Sequence, residues 1–223
     1  MKVLLSKTVQ AYIKSRVSTL CRAAGIPLQI VDGAAIDRLA PGENNQGVAV
    51  YMTAVKLWGA EELLQILPRR PEPAMILLCD HIQDPHNLGA IIRSAEAAGA
   101  CAVMFPKRGG ALPTGTVVKA SSGAALRVPL AMIGNVSQTI RILQEADYWV
   151  VGLSMEAKET LFKADMPPRT AFVVGSEGKG LSVVAANNCD ELRYIPMRGE
   201  TGSLNASVAA SLAMFEWERS RRI

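Results

Sequence analysis

Histidine and cysteine are scarce in this chain, with two and four respectively among 223 residues. The cysteines, at 21, 79, 101 and 189, form no C-x-x-C pair, and two histidines do not complete a His/Cys cluster of zinc-site spacing, so no structural metal is expected. Cys79 and Cys101 lie in or beside apolar runs, where a thiol packs as a small hydrophobe. No stretch approaches the roughly 18 to 20 consecutive apolar residues of a membrane-spanning helix. The opening MKVLLSKTVQAYIKSRVSTL has basic residues but no long apolar core and no small-residue cleavage site, which argues against a secretion signal and for a cytoplasmic protein. Internal repeats and low-complexity tracts are also missing.

What the chain does have is apolar content, 49% of residues, enough for one substantial core and a smaller companion domain. The net charge of +4 is unevenly placed. Residues 1–70 carry nine Lys or Arg against five acids, whereas residues 71–223 carry fifteen of each. That excess is either a solvated face or a docking surface for a polyanion, since fixed cations release counterions on meeting phosphates.

A boundary is expected at the proline-rich LPRRPEPAM, with a linker over 67–74, because prolines at 68, 71 and 73 interrupt a helix or central strand. Before it, VLL, a helix over 10–25, PLQIV, the short helix AAIDRLA and GVAVYM form a small α/β module over 1–66, with PGENNQG as a polar turn. After it, over 75–223, nearly continuous apolar strands such as AMILLCD and CAVMF alternate with helical stretches. That pattern predicts an open, mostly parallel α/β sheet of about six core strands, covered on both faces.

Three polar stretches sit where such strands end. FVVGSEGKGLS, residues 172–182, carries glycines at 175, 178 and 180. It is not a phosphate-binding P-loop, because Lys179 is followed by Gly180 rather than by Ser or Thr. Nor does G-x-x-G-x-G late in the chain match a dinucleotide-binding G-x-G-x-x-G. It remains a glycine-rich turn at the carboxyl edge of the sheet, with Glu177 favouring a cationic or hydroxyl-bearing ligand. DPHNLGAIIRSAEAAG opens a helix for which Asn87 is a suitable N-cap. Leu88, Ile91, Ile92 and Ala95 form its apolar face, while Arg93 lies off that face, where it either pairs with Glu96 at i+3 or serves a site. His81 and His86 read as loop residues rather than bases. In IPMRGETGSLNASVA, Ser203 reads as the cap of a final helix over about 204–219. Leu204, Val208, Leu212 and Phe215 are its apolar stripe, and small residues at 206, 207 and 209–211 permit close approach to another helix or subunit. Asn205 in its first turn suits either capping or catalysis.

These three segments, in this order and spacing, resemble the signature motifs of the SpoU/TrmH family of RNA ribose 2'-O-methyltransferases, within the SPOUT class. The resemblance covers about residues 75–218, and FPKRGGALPTGTVVKASSGAALRVPL is similar to the branch that modifies guanosine in large-subunit (23S) ribosomal RNA. It implies a C-terminal deep trefoil knot through roughly 170–210, a homodimer with its active site near the subunit interface, and S-adenosylmethionine as cofactor. Val174, Gly175, Glu177, Gly178, Ile195, Met197, Ser203 and Leu204 match the cofactor-binding positions, and Asn87, Arg93, Glu177, Ser203 and Asn205 the catalytic ones. The family places Arg93 at the reacting end. A guanidinium with a pKa above ~12 is a poor proton acceptor and a good ligand for phosphate or alkoxide, so charge stabilisation suits it better than base catalysis. Residues 1–65 resemble, more loosely, a small ribosomal-protein-like RNA-binding domain; many members have a further helix before the first strand, whereas here the chain begins almost at VLL. A transfer-RNA methyltransferase of the same family and a non-catalytic RNA-binding protein are the alternatives.

Overall fold

The structure, a computed structural model, describes residues 1–39, 41–42, 44–67, 72–162, 166–200 and 202–221. It comprises two compact units, Met1–Ala54 and Val55–Ile223. The linker expected over 67–74 falls partly on residues 68–71, outside the described residues, but the boundary between the units lies earlier. Leu57–Trp58 already pairs with a strand of the larger sheet, which ties residues 55–66 to the second unit.

In the first unit the strand β1 (Lys2–Ser6) is central, parallel to β2 (Leu28–Val31) and antiparallel to β3 (Val48–Tyr51). Helices α1 (Ala11–Ala23) and α2 (Gly33–Asp37) contribute Cys21 and Ile36 as buried side chains. The polar turn before β3 is held locally: the Asn45 amide donates to Asp37 at 2.8 Å, and its carbonyl oxygen accepts from the Gly47 N–H at 2.8 Å.

The second unit is an eight-stranded sheet in which every neighbouring pair is parallel. Its strands are β4 (Leu57–Trp58), β5 (Ala74–Asp80), β6 (Ala102–Pro106), β7 (Leu130–Ile133), β8 (Trp149–Leu153), β9 (Glu159–Thr160), β10 (Arg169–Gly175) and β11 (Glu191–Tyr194), in the spatial order β4-β7-β6-β5-β10-β8-β11-β9. The two additional strands beyond the six core ones are the two-residue edges β4 and β9, too short to leave a period in the sequence. Ala124–Leu126 forms a 3-10 turn, and β7 begins only at Leu130.

The central strands are apolar on both sides because both sides are covered. Met75, Leu77 and Cys79 of β5 join one core with Leu88, Ile91, Ile92 and Ala95 of α4 (Pro85–Ala97), Val117 of α5 (Gly115–Ala120) and Ala210, Ala213, Met214 and Trp217 of α8 (Ala206–Arg219). Ala74, Ile76 and Leu78 join the opposite core with Leu63 of α3 (Ala60–Ile66), Val136, Ile140 and Leu143 of α6 (Val136–Glu145) and Ala185 of α7 (Val183–Asn188). Each fully buried Leu, Ile, Val or Met among them contributes about 1.5–3 kcal/mol.

The apolar stripe of α8 faces away from the core. Val208, Leu212 and Phe215 are exposed, and the helix packs through Ala206, Ala210 and Ala213 against α4 and β10. Alanines let helix backbones approach closely, so their face, completed by Met214 and Trp217, takes the interior and Val208, Leu212 and Phe215 are left outside.

Candidate active site

From β5 the chain runs through α4 to β6 and through α5 to β7, then crosses to the far side of β10 to enter β8. The carboxyl ends of β5 and β10 therefore flank the point where strand order reverses, the usual ligand crevice of an open α/β sheet. Asp80 and Gly175 are register partners there.

At the β5 side, α4 starts earlier than the sequence suggested. Asp84 is its N-cap, accepting from the His86 N–H at 3.0 Å, with Pro85 at the first helical position. Asn87 is thus released from capping. It is a buried residue of the first turn, and its side-chain oxygen accepts from the Asn205 amide at 2.9 Å.

At the β10 side the chain folds back on itself. The Gly180 N–H donates to the Ser176 carbonyl at 2.9 Å, and Ser176 and Gly180 form an isolated antiparallel bridge. A Cβ on Gly175 would stand 2.0 Å from the Gly180 carbonyl group, so no larger residue fits. Gly178 and Gly180 are required for a different reason: their φ values are 77° and 65°. The tail of this loop is fastened by the Asp80 carboxylate, 1% exposed, which accepts from the Ser182 N–H at 2.7 Å. Ser182 in turn caps α7.

The third segment arrives through Asn205, the true N-cap of α8, where Ser203 had been expected. The Asn205 oxygen accepts from the N–H groups of Ser207 at 2.9 Å and Val208 at 3.3 Å. Its amide nitrogen donates both to Asn87 and to the Glu177 carboxylate. Three residues far apart in sequence are joined in one network. Ser203 is exposed, two residues before the cap, and forms no hydrogen bond with a described residue.

A cleft of about 260 Å³ opens on this network, lined by Ile82, Gln83, Asp84, Asn87, Ser176, Glu177 and Lys179. Two carboxylates and two amides give it the acceptors and donors that hydroxyl groups or a cation require. Among the candidate cofactor residues, Val174 and Ile195 are buried in one apolar cluster on which Leu204 packs, Gly175 is buried at the end of β10, Met197 is half-buried and Gly178 exposed. Arg93 is not in the cleft lining. It is six residues beyond Asn87, about 9 Å along the helix axis, exposed and without an ion pair to any described residue. The expected pairing with Glu96 does not form, since Glu96 accepts from Arg127 at 2.7 Å, and that bond holds its carboxyl below the usual range.

Cys79 lies beside Asp80 but is no nucleophile: burial, reinforced by the Asp80 charge, pushes its thiol up to about 12. Among the described residues no group of three or more His, Cys, Asp or Glu is placed to hold a metal ion, and no helix is long and apolar enough to cross a membrane. Sequence reasoning missed Asp80, although an acid closing an otherwise apolar strand was a visible signal. It also set aside His81, which has a φ of 60° and donates from Nδ1 to Asp80 at 2.5 Å.

The chain as a whole is similar to known proteins. The chain is 42% identical over 202 residues to a 23S rRNA (guanosine-2'-O-)-methyltransferase RlmB of Xylella fastidiosa (strain 9a5c), covering 91% of this chain and 81% of the relative. An RNA 2'-O ribose methyltransferase of known crystal structure superposes with a TM-score of 0.79 at 26% identity, over 100% of this chain and 81% of that one. The SpoU methyltransferase AviRb of Streptomyces viridochromogenes, in complex with AdoMet, gives 0.75 at 25% identity over 99% and 83%. Residues 74–215, which contain all three segments, match the SpoU rRNA Methylase family, and the chain belongs to that family.

Proposed function

We propose that this protein transfers a methyl group from S-adenosylmethionine to the ribose 2'-hydroxyl of a guanosine in large-subunit (23S) ribosomal RNA. The observation that carries the reading is the junction of Asn87, Glu177 and Asn205 at the carboxyl edge of β5 and β10. Residues such as these are expected at a site that must orient a hydroxyl, and the relatives named above supply the substrate.

The residues present suit the cofactor. Gly175 leaves room only for backbone, Val174, Ile195 and Leu204 offer an apolar seat, and the Glu177 carboxylate suits a positively charged ligand. Val174, Gly175, Glu177, Gly178, Ile195, Met197, Ser203 and Leu204 would hold it. When bound, S-adenosylmethionine supplies an electrophilic methyl on a sulfonium. Holding the acceptor oxygen in line is the protein's main task, and positioning of this kind accounts for a large part of such rate enhancements. Glu177 and Asn87 orient the ribose, Asn205 fixes both, and Ser203 lies on the approach to the cap. Arg93, outside this cleft in the single chain, acts from across the subunit interface, stabilising the charge on the ribose oxygen as its proton passes to water or a neighbouring RNA phosphate.

The exposed stripe Val208, Leu212 and Phe215 supports a homodimer packed through α8. Ser94, next to Arg93, accepts from Ser211 on α8 at 2.7 Å, which sets Arg93 beside that face and supports a site near the subunit interface. The trefoil knot is supported by the return of the chain from β11, outside β8, to α4 and β10. The first unit, with its mixed three-stranded sheet and basic excess, serves as a ribosomal-protein-like RNA-docking domain, and a cytoplasmic location follows from the substrate.

Labelled methyl groups offered in parallel to unmodified 23S ribosomal RNA and to transfer RNA test the reading. Incorporation into the ribosomal RNA alone is expected. Incorporation into transfer RNA alone would assign the other branch of the family, and cofactor binding without transfer to any RNA would leave a non-catalytic RNA-binding protein.

A further inference from the structure

Asp80, which fastens the glycine-rich loop, also forms a built pair with His81, a residue given no part in the methyl transfer. The Asp80 carboxylate is 1% exposed, and both of its oxygens are engaged, one by the Ser182 N–H and the other by His81 Nδ1 at 2.5 Å. The His81 ring, by contrast, is 49% exposed. Its backbone has a φ of 60°, a region that residues with a Cβ seldom adopt and that tends to persist where a side chain must be presented. The ring lies over Gly109: a Cβ there would come within 2.7 Å of His81 Cδ2, so the glycine makes the seat. The 107–111 loop is in turn anchored to the same segment, because the Ala111 N–H donates to the Ile82 carbonyl at 2.7 Å.

The two residues before Gly109 are Lys107 and Arg108, both exposed, and their side chains form no ion pair with a described residue. Ile82 and Gln83, the two residues after His81, line the cleft. A fixed imidazole and two unpaired cations therefore stand on the rim of the candidate active site. With Nδ1 committed to Asp80, Nε2 is the nitrogen left for a ligand, on the ring edge beside Gly109. Protonated, Nε2 donates to a phosphate oxygen; unprotonated, it accepts from a ribose hydroxyl. Both groups belong to one ligand.

We propose that His81, oriented by Asp80 and flanked by Lys107 and Arg108, is a contact for the ribose–phosphate backbone of the RNA strand next to the target nucleotide. This rests on the methyltransferase reading above. Asp80 is a positioning residue in this scheme, tying the RNA-facing ring to the glycine loop through a single carboxylate.

His81→Gly is the informative variant, because glycine adopts a φ of 60° without strain, so the backbone is kept while the ring and its bond to Asp80 are lost. The expected result is a Tm somewhat below wild type, unchanged S-adenosylmethionine affinity, and a KM for a 23S ribosomal RNA fragment raised at least fivefold with kcat within twofold of wild type. Lys107→Ala/Arg108→Ala, measured separately, should flatten the slope of log Kd against log salt by about 1.4, the value for two lost contacts to single-stranded RNA. Wild-type KM in His81→Gly together with a wild-type salt slope in the double variant would overturn the proposal. If the wild-type protein itself neither binds nor methylates RNA, the functional reading fails instead, and with it this inference; the two failures are distinguished by the wild-type control.

Discussion

The side chain of Asn205 bonds in two directions at once: its oxygen caps α8 through Ser207 and Val208, and its nitrogen reaches Asn87, 2.9 Å away, and Glu177. Capping and site assembly, alternatives when the residue is read in sequence, are the same interaction set here. Asn205→Ala should cost about 1 kcal/mol of stability for the lost cap and reduce methyl transfer on the order of 10²-fold. Asn205→Asp separates the two roles, because aspartate keeps the cap acceptor but sets a second carboxylate against Glu177. Its Tm is expected to exceed that of the alanine variant while transfer stays as low; an active Asn205→Asp enzyme would reduce Asn205 to a cap.

Glycines 175 and 178 should respond differently to alanine. At 175 the new methyl group meets the Gly180 backbone, and backbone has nowhere to go. A loss of about 3 kcal/mol is expected there, with cofactor affinity falling at least tenfold by calorimetry. At 178 there is open space, and only the φ of 77° is penalised, by about 1–2 kcal/mol. Equal losses at the two positions would contradict the tight return of the loop.

Much of this was legible in the sequence, for identifiable reasons. AMILLCD matches β5 residue for residue, because a strand buried on both faces leaves an unbroken apolar run between polar ends. Helix starts were read late or early, at Asn87 rather than Asp84 and at Ser203 rather than Asn205, because several polar residues in a row can each cap and only the fold selects one. The apolar stripe of α8 is legible but its surroundings are not, since periodicity marks a face without saying what covers it. The bonds between Asn205, Asn87 and Glu177 span 118 and 28 residues, and no local pattern encodes them.

Arg93→Ala should leave the fold almost untouched, within about 0.5 kcal/mol, because the side chain is exposed and Glu96 already belongs to Arg127. Cofactor affinity is expected to be unchanged and turnover to fall on the order of 10²- to 10³-fold. Turnover at the wild-type rate would remove Arg93 from the chemistry.

Replacing Leu212 and Phe215 by glutamate addresses the outward stripe. Phe215 is 48% exposed, so the substitutions cost a single chain little. Sedimentation is expected to show a dimer for the wild type and a folded monomer for the double variant; a wild-type monomer would leave the stripe without the partner proposed for it.

The thiols of Cys79 and Cys189 should be inert in the native protein. Burial, then the charge of a neighbouring aspartate, pushes each up to about 12. Both groups are therefore protonated well above neutrality. Alkylation by iodoacetamide at pH 8 is expected to reach them only on unfolding, and rapid native labelling of Cys79 would contradict the packing of β5.

The most direct test of the whole account is the identity of the methylated nucleoside. Ribosomal RNA lacking its modifications, incubated with the protein and S-adenosylmethionine and digested to nucleosides, should yield 2'-O-methylguanosine as the single new product with the wild type, and on the order of 10²-fold less of it in the same time with Asn205→Asp. A methyl group found on a base, or on a ribose in equal amount with both proteins, would contradict a 2'-hydroxyl site built on Asn87, Glu177 and Asn205.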